Sequence, residues 1–370
     1  MYPYYDLTTL LLYIILGCIF ALCVHYRNKY HKSIFLFLSS AIFVVFAISR
    51  TVGYHLGGED SYNYEQIFLY GIQGMYGMQD VEPLFAYFTK CIRQFTDNPV
   101  VYRFFCYSII ALGSFKFIDA YCPYKSSSIP FIALILPFIL SFNTMRSSIA
   151  AAMVLLAMVI LKRGHWMMAI TILLSSVFVH RMSAIFIPFL PFYYFLIKRP
   201  ILGNKFKYLI FVCVCVVGSV SIAKILQSYI FALGVLDGAD SFYLMRNAGQ
   251  SFLSATTYVL PLILILIFMM FSSFKKIYEE HPILLLIVTY DIIIFPAAFM
   301  LGMWRVNEFF YVARLILWSI MISQLSSRFK SDQRILVKAV FFLGFLFWIT
   351  NRINSIWEDA ALMPYIINWF

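Results

Sequence analysis

Long apolar stretches, each closed by a short polar connection, run through nearly the whole chain. A helix needs about 20 mostly apolar residues to cross a bilayer, and fewer where it is irregular or only partly spans. Twelve stretches are candidates: 7–26, 33–49, 100–121, 129–142, 147–161, 166–180, 182–197, 208–231, 254–274, 282–303, 306–325 and 335–350. The runs at 129–142 and 147–161 are short and are separated only by Phe142–Arg146, so they read as a helical hairpin or a broken helix. The apolar runs are continuous rather than alternating, which excludes a membrane β-barrel. The pattern predicts an all-α polytopic membrane protein of about 12 transmembrane helices, one integral domain over residues 1–370, without a clear internal repeat.

Composition supports this reading. The chain is 62% hydrophobic and only 12% charged, whereas soluble domains carry about 25% charged residues. So little charge cannot coat a water-facing surface, which excludes a soluble enzyme, a disordered chain and a secreted disulfide scaffold. The seven cysteines lie mostly inside apolar runs and form no CxxC pair, so they read as small buried hydrophobes. No Lys or Arg precedes the first apolar run, so that run is expected to be a retained span rather than a cleaved signal peptide.

The net charge is +11, and its placement orients the spans. Arg27, Lys29 and Lys32 follow the first run, Lys116 and Lys125 flank the end of the third, and Lys162 and Arg163 follow the fifth. The same holds for Lys198, Arg199, Lys205 and Lys207 after the seventh, Lys275 and Lys276 after the ninth, and Arg328, Lys330, Arg334 and Lys338 after the eleventh. Every second connection is basic and is expected inside, with both termini outside. The basicity therefore needs no nucleic acid to explain it. Of the 28 basic residues 17 fall inside, 12 of them Lys; of the 11 left outside, nine are Arg. A point charge is enough for topology, whereas the planar guanidinium fork suits phosphate oxygens. The outward arginines point to a bound phosphate or other polyanion, against the alternative that each snorkels or pairs with a carboxylate.

The longest polar connection, about 50–99, lies outside and carries Arg50, Gly53, Gly57, Gly58, Glu59, Asp60, Tyr64 and Glu82. Loops of that length usually carry function. Its aromatics suit sugar stacking or an interfacial helix, and the stretch 83–95 favours the helix. A second outward loop, about 232–253, holds Asp237, Asp240 and Arg246 and is a candidate lid. Short polar breaks occur at Asn143–Ser148, Val179–Ala184 and Arg305–Glu308, with Arg314 on the helix that follows. Small residues Ala150–Ala152 would let helices pack closely and place Arg146 inside the bundle. Polar groups at such depth default to function. His180 sits at an outward helix end beside Arg181, and Asp291 lies mid-span, where it is expected to pair with a buried cation.

At these residues the chain resembles the EpsG-type branch of the bacterial Wzy O-antigen and exopolysaccharide polymerases. The likeness runs through Arg50 with Gly53 and Glu59-Asp60…Tyr64, Glu82-Pro83-Leu84-Phe85 and Asn143…Arg146-Ser-Ser-Ile-Ala. It continues through His180-Arg-Met-Ser-Ala, Arg305…Glu308…Arg314 and Met363-Pro364-Tyr365. The spacing from Gly53 to Asp60 is longer than the family's Arg…Gly-x-Asp pattern, so Glu59 and Asp60 both stand as its acidic residue. The resemblance implies a metal-independent, GT-C-like glycosyltransferase of the inner membrane with periplasmic termini. It would transfer a growing glycan from undecaprenyl pyrophosphate to an undecaprenyl-pyrophosphate-linked repeat unit at the periplasmic face. A chain-length regulator is implied as a partner by the resemblance alone.

Such a reaction needs stabilisation of the departing pyrophosphate and a base for the acceptor hydroxyl. Arg146, Arg305 and Arg314, then Arg50, are the expected pyrophosphate ligands. His180 is the first candidate base, followed by Asp60 or Glu59. Tyr64, Glu82, Asn143 and Glu308 are expected to contact glycan. The sequence has no DxD triplet and no His/Cys ligand spacing, so no metal or cofactor is assigned. The competing readings are a lipid-linked oligosaccharide flippase or transporter, which favours charge deep in a central cavity, and another membrane transferase, either a metal-dependent GT-C enzyme or an O-acyltransferase.

Overall fold

The computed structural model describes residues 5–54, 56–71, 81–197, 203–233, 262–270, 274–301, 303, 305–356 and 362–366. Among them every element is helical, apart from a lone antiparallel bridge between Gly53 and Leu56. The expected outward loop at 232–253 lies almost wholly outside the described residues. The chain gathers into two compact units, residues 1–187 with 325–370, and residues 188–324.

The first unit opens with α1 (Leu7–Tyr30) and α2 (Ile34–Ser49). The Asp6 carboxylate caps α1 by accepting the amides of Thr8 (3.2 Å) and Thr9 (3.0 Å). The connection read as a long loop contains two helices, α3 (Glu59–Tyr70) and α4 (Pro83–Arg93). The second is the expected amphipathic helix, with Phe85, Thr89 and Ile92 buried. Then come α5 (Pro99–Tyr121), a 3-10 turn at Ile129–Leu134 running into α6 (Ile135–Leu140), α7 (Met145–Lys162), α8 (Trp166–Val177) and a second 3-10 turn at Arg181–Phe186. Proline opens α4 and α5 at positions whose N–H would have no helical partner.

Close approach builds the core of this unit. A Cβ on Gly113 of α5 would strike the Ala152 backbone of α7, and one on Gly17 of α1 would strike the Ile132 carbonyl. Small residues therefore let these backbones meet, as the Ala150–Ala152 run predicts. Phe43 and Phe138 stack at 3.9 Å, with Phe20 edge-on to Phe138 at 5.4 Å. The last helix, Ser331–Ile356, and the tail at residues 362–366 complete the unit. The tail is pinned where Tyr13 Oη donates to the Leu362 carbonyl (2.6 Å) and the Thr51 amide donates to the Ile366 carbonyl (2.7 Å).

Three basic connections of this unit meet at one end. Arg27 is 1% exposed and bonds Asp119 (3.2 Å) and the Cys122 carbonyl (2.7 Å), Asn28 bonds the Ser126 carbonyl, and Lys162 bonds the Ala120 carbonyl. This arrangement is what the alternation of basic loops requires of residues near 27, 125 and 162.

The second unit holds α9 (Phe189–Leu196), α10 (Lys205–Leu233), α11 (Phe274–Glu280), α12 (Pro282–Met300) and α13 (Val306–Ser327); Ser331–Ile356 is thus α14. Here α10 packs on α12, joined by Tyr208 and Thr289 hydroxyls at 2.9 Å and by Ser219 Oγ donating to the Ile293 carbonyl at 2.7 Å.

Among the described residues seven helices are long and apolar enough to cross a membrane: α1, α5, α7, α10, α12, α13 and α14. Ile210, Val214 and Val217 of α10 and Leu336, Val340 and Phe347 of α14 are exposed, an apolar surface suited to lipid and not to water. The protein is thus a helical membrane protein. The other expected spans take different forms. α2 has 16 residues and α8 has 12. The run 182–197 becomes a 3-10 turn and an eight-residue helix, because Pro188 and Pro191 interrupt the α-helical ladder. Of 254–274, residues 262–270 and 274 are described, and they are helical. The run 129–142 is a buried 3-10 turn followed by one and a half turns of α-helix. The longer rise of its 3-10 half carries these twelve residues about 21 Å. The segment thereby links the basic end at Ser126 to the opposite end at Phe142.

Candidate functional site

The end of the first unit opposite the basic cluster gathers the N-termini of α3, α4 and α7 and the turn after α8. Two glycines shape the entry to α3. Gly57 and Gly58 have φ of 73° and 104°, which L side chains rarely adopt. A Cβ at Gly58 would also strike the Phe142 carbonyl. The α3 N-terminus is therefore pressed onto the Phe142–Asn143 turn, and the Asp60 amide donates to Asn143 Oδ1 (2.9 Å).

Arg50 lies beneath this contact and is 1% exposed. It donates to the carbonyls of Gly57 (2.8 Å) and Ala47, to Ser61 Oγ (2.7 Å) and to Tyr107 Oη (2.7 Å), and stacks over Phe142 at 4.0 Å. Ser61 in turn donates to the Phe142 carbonyl. The expected pyrophosphate ligand is thus enclosed by the chain's own acceptors, because the α3 entry folds over it.

Glu82 forms the centre of the site. Its Oε2 accepts from Arg146 Nη1 (2.7 Å), while Oε1 lies 3.0 Å from His180 Nδ1 and accepts the Arg181 amide (3.2 Å). The Leu84 amide donates to the Phe178 carbonyl (2.9 Å), which fixes the start of α4 against the His180 turn. Ser183 Oγ donates to the His180 carbonyl and accepts from Ser176 Oγ, both at 2.9 Å, and so braces that turn. Burial pushes the Glu82 carboxyl up, but the hydrogen bond from His180 and the charge of Arg146 outweigh it and hold the group at about 2. Glu82 is therefore an anion at working pH and can only accept. The neutral His180 ring must donate from Nδ1, which makes Nε2 its basic nitrogen.

Arg146 is partly exposed, and its Nε is buried with no acceptor among the described residues. Its guanidinium lies over the Tyr64 ring at 5.7 Å. Tyr64, expected to contact glycan, is 2% exposed and packs edge-on to Phe85 at 5.8 Å; its ring forms the wall behind Arg146. The structure therefore brings together Asp60, Tyr64, Glu82, Asn143, Arg146 and His180, with Arg50 behind them. Glu59 opens α3, and its side chain lies outside the described residues.

Sequence reasoning missed Ser61 and Tyr107, which hold Arg50, and Glu65, which pairs with the buried Arg103 at 2.9 Å. Ser61, Tyr64, Glu65 and Phe68 recur at the spacing of one helix face, a signal that was available.

The remaining candidates lie in the second unit. Arg305 precedes α13, and Glu308 is buried in its first turn. Arg314 is 6% exposed. It grips Asp291 through Nη2–Oδ1 (2.6 Å) and Nε–Oδ2 (2.5 Å), and also donates to Asn307. Asp291 thus has the buried cationic partner expected of it.

Among the described residues no cluster of His, Cys, Asp and Glu has the makings of a metal site. A family model described as the EpsG family matches residues 41–367, a span that includes every candidate residue above. No curated protein and no solved structure matches the chain.

Proposed function

The chain belongs to the EpsG family of polysaccharide-polymerase-like membrane proteins, and on that premise we propose that it is a glycosyltransferase that elongates a lipid-linked glycan. The donor is a glycan on undecaprenyl pyrophosphate and the acceptor an undecaprenyl-pyrophosphate-linked repeat unit. The working face is the outer face of the bacterial inner membrane. The observation that carries this reading is the Arg146–Glu82–His180 cluster, an anion-binding group and an oriented base on one carboxylate, at the end of the unit opposite the basic cluster.

In the proposed step, His180 Nε2 accepts the proton of the acceptor hydroxyl. The hydroxyl oxygen bonds to the anomeric carbon as the bond from that carbon to pyrophosphate oxygen breaks. Undecaprenyl pyrophosphate leaves with the electron pair, and Arg146 stabilises the charge. One preorganised donor of this kind is worth about 10²–10³ in rate. Glu82 orients both groups and is a positioning residue in this scheme. Arg50 holds the α3 entry and so supports the site indirectly. Asp60 and Asn143 face acceptor sugar. Arg305, Arg314 and Glu308 are the second unit's candidates for pyrophosphate and glycan.

The test is reconstitution with lipid-linked repeat units. Polymer ladders that persist in chelator and vanish in R146A and H180A support the reading, and R305A tests the second unit separately. Normal long-chain polymer from R146A would remove the pyrophosphate role. Transbilayer movement of substrate without bond formation would make the protein a carrier.

A further inference from the structure

The proposed reaction joins two lipid-linked substrates, and each carries its own pyrophosphate. The Arg146 cluster accounts for the donor's. The acceptor must reach the same cluster with its non-reducing end while its own pyrophosphate stays near the bilayer, one repeat unit away. We infer that the groove between α3 and α4 is the acceptor subsite, with the acceptor glycan along its aromatic wall and its pyrophosphate on Lys90 and Arg93.

The groove has a volume of about 460 Å³ and is lined by the second half of α3 and the middle and end of α4, including Phe68, Tyr70, Tyr87, Lys90 and Arg93. Its inner end starts one turn beyond the Tyr64–Phe85 contact, beside Glu82 and Arg146. Its outer end is cationic. α4 has 11 residues after Glu82, which separates the reacting end from Arg93 by about 16 Å at 1.5 Å per residue, room for a short oligosaccharide. Tyr70 and Tyr87 are 72% and 66% exposed, and their faces suit sugar rings. Arg93 lies over Phe68 at 5.6 Å and pairs with Asp97, whose side chain is 81% exposed. Asp97 is open to water while Arg93 is only partly exposed, and a carboxylate held so loosely yields readily to a doubly charged phosphate group. The cations are stationed at the distance at which a lipid-linked acceptor would present its anion.

This inference rests on the polymerase reading, so its test has an arm that does not need turnover. Inorganic pyrophosphate is titrated calorimetrically into the full chain in nanodiscs. The wild type should show two classes of site, with R146A removing one and the double variant K90Q/R93Q removing the other. In the polymer assay, K90Q/R93Q and Y87A should raise the acceptor KM by on the order of tenfold with kcat unchanged, whereas loss of transition-state contacts would lower kcat. Tyr87 and Lys90 lie at the surface, so melting of Y87A and K90Q should not move. Two pyrophosphate sites in a protein that makes no polymer would refute the polymerase reading alone. A single site, lost in R146A and untouched by K90Q/R93Q, would overturn the groove assignment. So would competition of the second site by phosphatidylglycerol nanodiscs with KM unaffected, which would make the groove a lipid-headgroup anchor.

Discussion

Replacing Glu82 with Gln removes the charge that binds Arg146 and His180 together while keeping the shape. The fall of its carboxyl from an ordinary 4.5 to about 2 corresponds, at 1.36 kcal/mol per pKa step and discounted for solvent screening, to on the order of 1–2 kcal/mol of preference for the anion. The folded value lies below the unfolded one. This contribution is therefore complete above about pH 4.5 and is lost as pH falls through the folded value near 2. E82Q lacks it at every pH. Thermal melts in detergent should place the variant below wild type at neutral pH, with the gap closing as the wild type is acidified. The amide also presents a donor as readily as an acceptor to His180, so the tautomer is no longer fixed. If His180 is the base, kcat should fall by about 10²–10⁴, the usual contribution of a positioned general base, with the acceptor KM little changed. An E82Q enzyme with normal kcat and a raised KM would refute the positioning role and make Glu82 a glycan ligand. Coincident acid melting curves for the two proteins would refute the electrostatic argument.

Other outcomes follow from the same geometry. G58A should destabilise the α3 entry by about 1–3 kcal/mol, since a side chain is strained at that φ, and should lower activity without touching the reacting groups; melting and turnover check this. R50K keeps the charge but loses the fork, so it too should weaken the fold, and full stability in R50K would show that the enclosure around Arg50 contributes little. D291A and R314A should each cost about 3–5 kcal/mol by stranding a buried partner. The double variant should cost less than their sum, and strict additivity in a double-mutant cycle would refute the pairing.

Much of the frame was legible because membrane helices announce themselves by length and apolarity. The ends of α1, α5 and α7 fall within a few residues of the expected runs. The short elements were less legible, because hydropathy alone does not distinguish a spanning run from Ile129–Leu140, which is sheathed in protein. At the site, residue types and their outward placement marked out Arg146, His180 and Glu82. Their partnership was hidden, since Glu82 and His180 are 98 residues apart in sequence and only the fold joins them. Arg50 shows the opposite limit. Its charge and position resembled those of a ligand, but the residues that enclose it, Ser61 and Tyr107, carry no individual signal.

The depth of the site has its own consequence. α5 and α7 end level with one another at the basic end, where Lys162 meets the Ala120 carbonyl, yet α5 has 23 residues and α7 only 18. Arg146, in the first turn of α7, therefore sits below the first residues of α5. Tyr107, which holds Arg50 in the floor, lies eight residues from Pro99, about 12 Å down at 1.5 Å per residue. The cluster that Arg146 forms with Glu82 thus lies about two helical turns below the start of α5. For the proposed transfer, that depth would suit a substrate that arrives sideways, carried by its own lipid, over a glycan free in solution, which would have to descend past the helix ends.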